Sequence, residues 1–287
     1  MAEIYRDTTD AVATLTVGLG TSVRFYRDDI ETTATLLTPN TVAVPYSLTR
    51  LDGTFHTSWA YTVGGVPYTR QDENTVVTPY FSKAELIEHD VDMTSLTDAQ
   101  VIKLERLVRR IINAHVGQDF GYSEGALVVY GNGGSLLNTE KRVLSVTSVA
   151  QASDPTAVYA IAFRPIHQGF SIEAIEYSSS DNIKVPAWEE ATFGNFLPIG
   201  ARYENNVAYL LKGKFGYESV PYDVNLAALA LAEEFSCDEN LWRDRYIKSI
   251  SGDGFDVEFR SEAFMGTGSV VADQLLGKYV VNKLAII

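Results

Sequence analysis

Over the first eighty positions, apolar residues come in short runs broken by turn residues. Ser22-Val23-Arg24-Phe25-Tyr26-Arg27, Thr41-Val42-Ala43-Val44 and the run from Phe55 to Val63 are rich in β-branched and aromatic side chains. The breaks are Asp28-Asp29, Pro39-Asn40, Asp52-Gly53 and Gly64-Gly65. Such runs predict strands joined by tight turns. Their spacing predicts a small sandwich, immunoglobulin-like in architecture, with Trp59 in its core. No Cys pair supports a true immunoglobulin domain. Thr75-Val76-Val77-Thr78-Pro79-Tyr80 closes this unit, since Pro79 disfavours helix in the residue before it.

The period then changes. Ser82-Lys83-Ala84-Glu85 has capping-box spacing and predicts a short helix to about His89. Thr97 caps a longer helix, along which Val101, Leu104, Leu107, Val108, Ile111, Ile112 and His115 fall on one face. Gly117 terminates it. From about 126 to 216 the β pattern returns, with strands at 127–130, 143–149, 158–163, 171–177 and 206–214. A hairpin turn at Gly131-Asn132-Gly133-Gly134 lies between the first two. Asp223, after Pro221, is placed to cap an Ala/Leu-rich helix from Val224 to about Phe235, bent near Cys237-Asp238 and continuing through Trp242 and Tyr246. Its small residues allow close helix packing. A strand at 255–259, a helix at 270–276 and a strand at Tyr279-Val280-Val281 follow.

Composition narrows the function classes. The chain has 287 residues, 46% hydrophobic and 21% charged, enough to bury a core and too apolar for general disorder. With 23 Lys+Arg against 37 Asp+Glu, its net charge is −14. That balance argues against free-standing nucleic-acid binding, which needs clustered cations to meet phosphate. One Cys removes any internal disulfide framework and points to a reducing compartment. The first seven residues lack the basic start and apolar run of a signal peptide. The longest apolar run, Leu226 to Ala232, is far short of the roughly 20 residues a membrane span needs.

Most candidate chemistry fails on context. Gly121-Tyr122-Ser123-Glu124-Gly125 matches a nucleophile elbow in letters, but a helix precedes it and a strand follows, the reverse of the required order. Gly131-Asn132-Gly133-Gly134 lacks the Lys-Ser/Thr of a phosphate loop. Gly266-Thr267-Gly268 precedes a helix and could offer amides to an anion, with a plain turn as the simpler reading. Ser251-Gly252-Asp253-Gly254-Phe255-Asp256 has too few carboxylates for a calcium loop. His56, His89, His115 and His167 are scattered without ligand spacing, and His115 reads as a core residue. Glu189-Glu190 and Glu233-Glu234 are adjacent pairs that point apart, and Cys237 has no nearby base. No catalytic, cofactor or metal site is expected.

One charge pattern stands out. Lys103, Arg106 and Arg110 recur at i, i+3, i+7 on the polar side of the long helix, with Arg109 beside them. The plain reading is a solvated face, with Glu105 paired to Arg109 at i, i+4. The functional reading is a docking stripe for an acidic partner surface, a neighbouring subunit or DNA phosphate.

Two stretches carry a resemblance. Ala126 to Val149 resembles a paired-strand segment of head–tail adaptor (connector) proteins of tailed bacteriophages. Lys212 to Ala232 resembles the same family's strand, Gly-aromatic-Gly-Tyr turn, Val-Pro and Ala/Leu helix. The likeness runs from about Phe81 to the end of the chain and leaves residues 1–80 outside it. It implies an α+β fold, a helical adaptor core (81–287) with a long β insertion at about 126–216, plus an N-terminal all-β sandwich-like domain (1–80). It also implies a non-enzymatic virion protein of the phage neck, assembled in the host cytoplasm, in a ring typically of twelve copies. That ring would sit beneath the portal protein, extend the DNA channel and meet a downstream neck or tail protein. DNA would pass through without specific binding, and no membrane is involved. The partner-binding residues expected are Lys103, Arg106, Arg109 and Arg110, with an apolar tail of Tyr279, Val280, Val281, Leu284, Ile286 and Ile287. The alternative is a tail or baseplate protein with a carbohydrate- or receptor-binding β domain, to which the Tyr-rich N-terminal region is suited.

Overall fold

A computed structural model describes residues 2–156, 163–174, 203–236, 249–252, 255–258 and 266–281. Among the described residues strand outweighs helix, in several small sheets. This corrects the expected helical core with a β insertion. The physical reason lies in the strands, which supply two cores of their own. Two compact units form, and neither is continuous in sequence: Met1–Val77 with Gly121–Glu218, and Thr78–Phe120 with Ser219–Ile287.

The first unit opens with β1 (Ala2–Tyr5), β2 (Val12–Thr14), β3 (Leu19–Arg27), β4 (Ile30–Thr33), β5 (Leu36–Thr38) and β6 (Thr41–Ala43). A single helical turn, α1 (Tyr46–Thr49), precedes β7 (Gly53–Val63) and β8 (Val66–Val77). A five-stranded sheet runs β1-β8-β7-β3-β4, and a three-stranded sheet runs β2-β6-β5. Alternation along β7 buries Phe55, Thr57 and Trp59, and Val23 and Phe25 do the same on β3. These side chains share one core with Val42, Val44 and Leu48. Burying each large aromatic there stabilises by roughly 2–3 kcal/mol. Within this apolar layer the Asn74 side chain donates to Thr57 Oγ1 at 2.8 Å, so the buried polar groups satisfy one another.

The remainder of this unit is β9 (Tyr122–Tyr130), β10 (Leu136–Asn138), β11 (Val143–Gln151), β12 (Phe163–Ile166), β13 (Ser171–Ala174) and β14 (Ala208–Gly216). The expected hairpin between the strands at 127–130 and 143–149 does not form. β9 and β11 each pair antiparallel with β14, which lies between them. Gly131 to Gly134 instead fold back on residues 203–207, with Gly131 and Gly133 donating to the carbonyls of Val207 and Tyr203. Close backbone approach explains one glycine in particular. A Cβ on Gly216 (φ +89°) would lie 1.7 Å from the Gly121 carbonyl oxygen.

The second unit contains α2 (Lys83–His89), α3 (Asp98–Val116), α4 (Tyr222–Ser236) and α5 (Val270–Leu276), with a hairpin of β15 (Ser249–Gly252) and β16 (Phe255–Glu258). Ser82 with Glu85 and Thr97 with Gln100 complete reciprocal capping boxes at the starts of α2 and α3. Gly117 ends α3 in the left-handed conformation. α4 begins one residue before the expected cap. The Pro221 carbonyl accepts from the Val224 and Asn225 amides, and Asp223 lies in the first turn. Ala227, Ala228 and Ala232 of α4 are buried, as close packing requires. The expected helical extension at Trp242 and Tyr246 and the strand residues 158–162 and 175–177 lie outside the described residues.

Candidate interaction surface on the long helix

The buried stripe of α3 is Val101, Glu105, Val108, Ile112 and Val116, spaced i, i+4, i+7, i+11, i+15. It is narrower than the apolar pattern implies. Leu107, expected on that face, is 46% exposed, and Ile102 beside the stripe is 41% exposed. Glu105 takes a core position instead, 1% exposed. Its Oε1 accepts from the Tyr80 backbone amide at 3.0 Å and from Arg109 Nε at 3.0 Å. A charge taken this far from water survives only with such partners.

That pair separates the four cations. Arg109 is turned inward against Glu105, its side chain 12% exposed. Lys103 and Arg110 are exposed and Arg106 half-exposed on the opposite side. Together with Ile102 and Leu107 they make a face on which cationic and apolar side chains adjoin. At about 100° per residue, Ile102 and Leu107 stand on opposite edges of the cationic strip, so they border the charges on either side.

The tail residues are placed differently from expectation. Tyr279 to Val281 do not form a strand. Gly277–Tyr279 is a 3-10 turn, Val280 is extended, and neither Val280 nor Val281 belongs to a strand. The cause is the end of α3, whose last carbonyls need donors. The Val281 amide donates to the Val116 carbonyl at 2.9 Å, and the Gln118 side chain donates to the Tyr279 carbonyl at 2.7 Å. Tyr279 meets Phe120 edge-to-face at 5.3 Å, and Phe120 meets Tyr80 likewise at 5.7 Å. The Tyr80 hydroxyl accepts from the Phe120 amide at 3.1 Å and is hydrogen-bonded to the Asn113 side chain. Burial raises the Tyr80 pKa above the ordinary tyrosine value. Val280 is exposed. Leu284, Ile286 and Ile287 lie outside the described residues.

Other candidates resolve as structure. Ser123 sits inside β9, opposite Phe215 of β14. At Gly266-Thr267-Gly268 the chain supplies its own anion. Asp273 Oδ1 accepts from the Thr267 amide at 2.9 Å and the Thr267 hydroxyl at 2.7 Å. His115 faces Asp273 at 3.6 Å, His89 faces Glu233 at 3.3 Å, and His167 lies 3.3 Å from the Ser171 hydroxyl. Glu189, Glu190, Cys237, Asp253 and Gly254 lie outside the described residues. Among the described residues no group of three or more His, Cys, Asp or Glu is placed to hold a metal, and no helix is long and apolar enough to cross a membrane. No protein-family model matches the chain, and no curated protein matches it significantly.

Proposed function

We propose that this protein is a structural subunit of a phage neck, a head–tail adaptor that assembles as a ring on the portal through the exposed face of α3. The observation that carries the reading is that face, where Lys103, Arg106 and Arg110 lie between Ile102 and Leu107 in a chain of net charge −14. Cations that are scarce over the whole chain are concentrated where two apolar side chains stand in water. An acidic surface on a neighbouring copy or on the portal would meet the cations and cover the apolar side chain at each edge of the strip. The strong negative balance suits a channel wall, because it repels DNA and lets it slide. The resemblance at Lys212–Ala232, a strand, a glycine-rich turn and the Ala/Leu helix, supports the adaptor role in particular. At Ala126–Val149, β9 and β11 each pair with β14 and not with each other.

The test is assembly. Mass photometry and negative-stain imaging, with and without a portal ring, should find closed rings with a central channel. Arg106→Glu with Arg110→Glu should abolish them while the protein stays folded. Assembly unchanged by that pair at low and high salt would remove the α3 face from the interface.

A further inference from the structure

The outer face of the five-stranded sheet carries a hollow of about 540 Å³ lined by Tyr26, Asp28, Asp29, His56, Ser58 and Gln71, among others. Strand parity places these groups there. Phe55, Thr57 and Trp59 point into the core, so His56 and Ser58 point out. Register then aligns their neighbours, Tyr26 beside His56 and Gln71 beside Ser58. Asp28 and Asp29 form the two-residue turn between β3 and β4 and stand at its rim.

Two features set this hollow apart from an ordinary solvated sheet face. The first is the turn itself. Both aspartates have positive φ, 50° and 63°, the geometry of a type I′ turn for which Asn-Gly is preferred. Two adjacent carboxylates add like-charge repulsion to the backbone cost. The second is the state of the lining groups. Arg24, Glu31 and Tyr26 on the same face satisfy one another, with Arg24 Nη1 3.3 Å and the Tyr26 hydroxyl 3.2 Å from Glu31. The side chains of Asp28, Asp29, His56, Ser58 and Gln71, in contrast, hydrogen-bond to no other described residue. The Asp28 charge also acts on Arg27, and the other four side chains are open to the hollow and to water.

The lining selects a ligand chemistry. Two carboxylates accept only, so the ligand must donate, and they repel phosphate, sulfate and nucleic acid. Ser58 and Gln71 both donate and accept. Few apolar groups face the hollow, which excludes a hydrophobic ligand, while the Tyr26 ring offers one flat surface. A neutral saccharide meets all three conditions: vicinal hydroxyls donate in pairs to a carboxylate, and sugar C–H faces stack on an aromatic ring. The volume lies in the roughly 300–1,000 Å³ range of small-molecule sites. The geometry points to a neutral-saccharide subsite on the outer face of the N-terminal sheet, formed by the Asp28-Asp29 turn, His56, Ser58 and Gln71. This goes beyond the adaptor reading and stands whether or not that reading holds.

The experiment uses the full chain, with maltoheptaose, cellohexaose and chitohexaose as probes. Saturation-transfer NMR should show contact with at least one, with a Kd of about 1 mM, and the His56 ring signals should shift on titration. Asp28→Asn with Asp29→Gly keeps the turn in its preferred residues and removes both acids. That variant should bind at least tenfold more weakly while its Tm stays equal or rises. His56→Gln should weaken binding through a second strand. An absence of His56 shifts with all three sugars, unchanged binding by the Asn-Gly variant, or binding that disappears with EDTA would each overturn the subsite. Ring formation measured on the same variants separates this outcome from the adaptor reading.

Discussion

Each unit buries a polar pair within an apolar core, and the two pairs differ in charge. In the sandwich, Asn74 donates to Thr57 across neighbouring strands, both neutral and both buried. On α3, Glu105 holds Arg109 and the Tyr80 amide, charged on both sides. A neutral pair needs one hydrogen bond to be at rest, whereas a buried charge depends on every partner it has. The consequence reaches the surface as well as the core. Glu105 withdraws one of four neighbouring cations from the surface and leaves Lys103, Arg106 and Arg110 to define the exposed face.

The largest effect should come from breaking the charged pair. Glu105→Ala removes a buried carboxylate from Arg109 and the side-chain acceptor from the Tyr80 amide. Urea unfolding should show a loss of about 3–5 kcal/mol; a loss below about 1 kcal/mol would mean that water replaces the carboxylate freely. Asn74→Ala should cost about 1–3 kcal/mol, because the Thr57 hydroxyl is then buried without a partner. Replacing both together, Asn74→Leu with Thr57→Val, should recover most of that loss. Failure to recover would show that the pair holds the register of β7 and β8 rather than merely satisfying itself.

Tyr80 sharpens the contrast through pH. Burial raises its pKa, so the fold favours the neutral phenol. Its contribution is therefore fully present below the unfolded value of about 10 and is lost as pH rises beyond it. Between pH 8 and pH 10.5 the native chain should lose more stability than Tyr80→Phe; equal losses would indicate that water reaches the hydroxyl. The smallest stability effect belongs to the exposed face. Arg106→Glu with Arg110→Glu should change unfolding by less than about 0.5 kcal/mol, even as association is lost.

Local signals were legible where one residue type meets one geometric need. Ser82, Thr97 and Gly117 mark helix ends because caps and left-handed backbone have few solutions. Trp59 was readable as core from the strand run around it. Pairing was less readable. β14, some sixty residues beyond β11, comes between β9 and β11, and nothing local to either strand reports that long-range partner. The mostly β balance was hidden for a related reason: Val66 to Glu73 of β8 is largely polar and exposed, so no apolar pattern announces it. On α3, hydrophobic spacing assigned Leu107 to the core and Glu105 to the surface. The structure reverses both, because the Tyr80 amide offers a buried partner from outside the helix. The outward placement of Ile102 and Leu107 emerges only from the packing of α3, whose buried stripe is Val101, Glu105, Val108, Ile112 and Val116.

The central claim concerns assembly, and mass photometry of the purified chain mixed with portal rings tests it most directly. A closed ring seated on the portal, present with the native chain and absent with Arg106→Glu and Arg110→Glu, is the predicted result. A chain that stays monomeric at every concentration, with and without the portal, would contradict it.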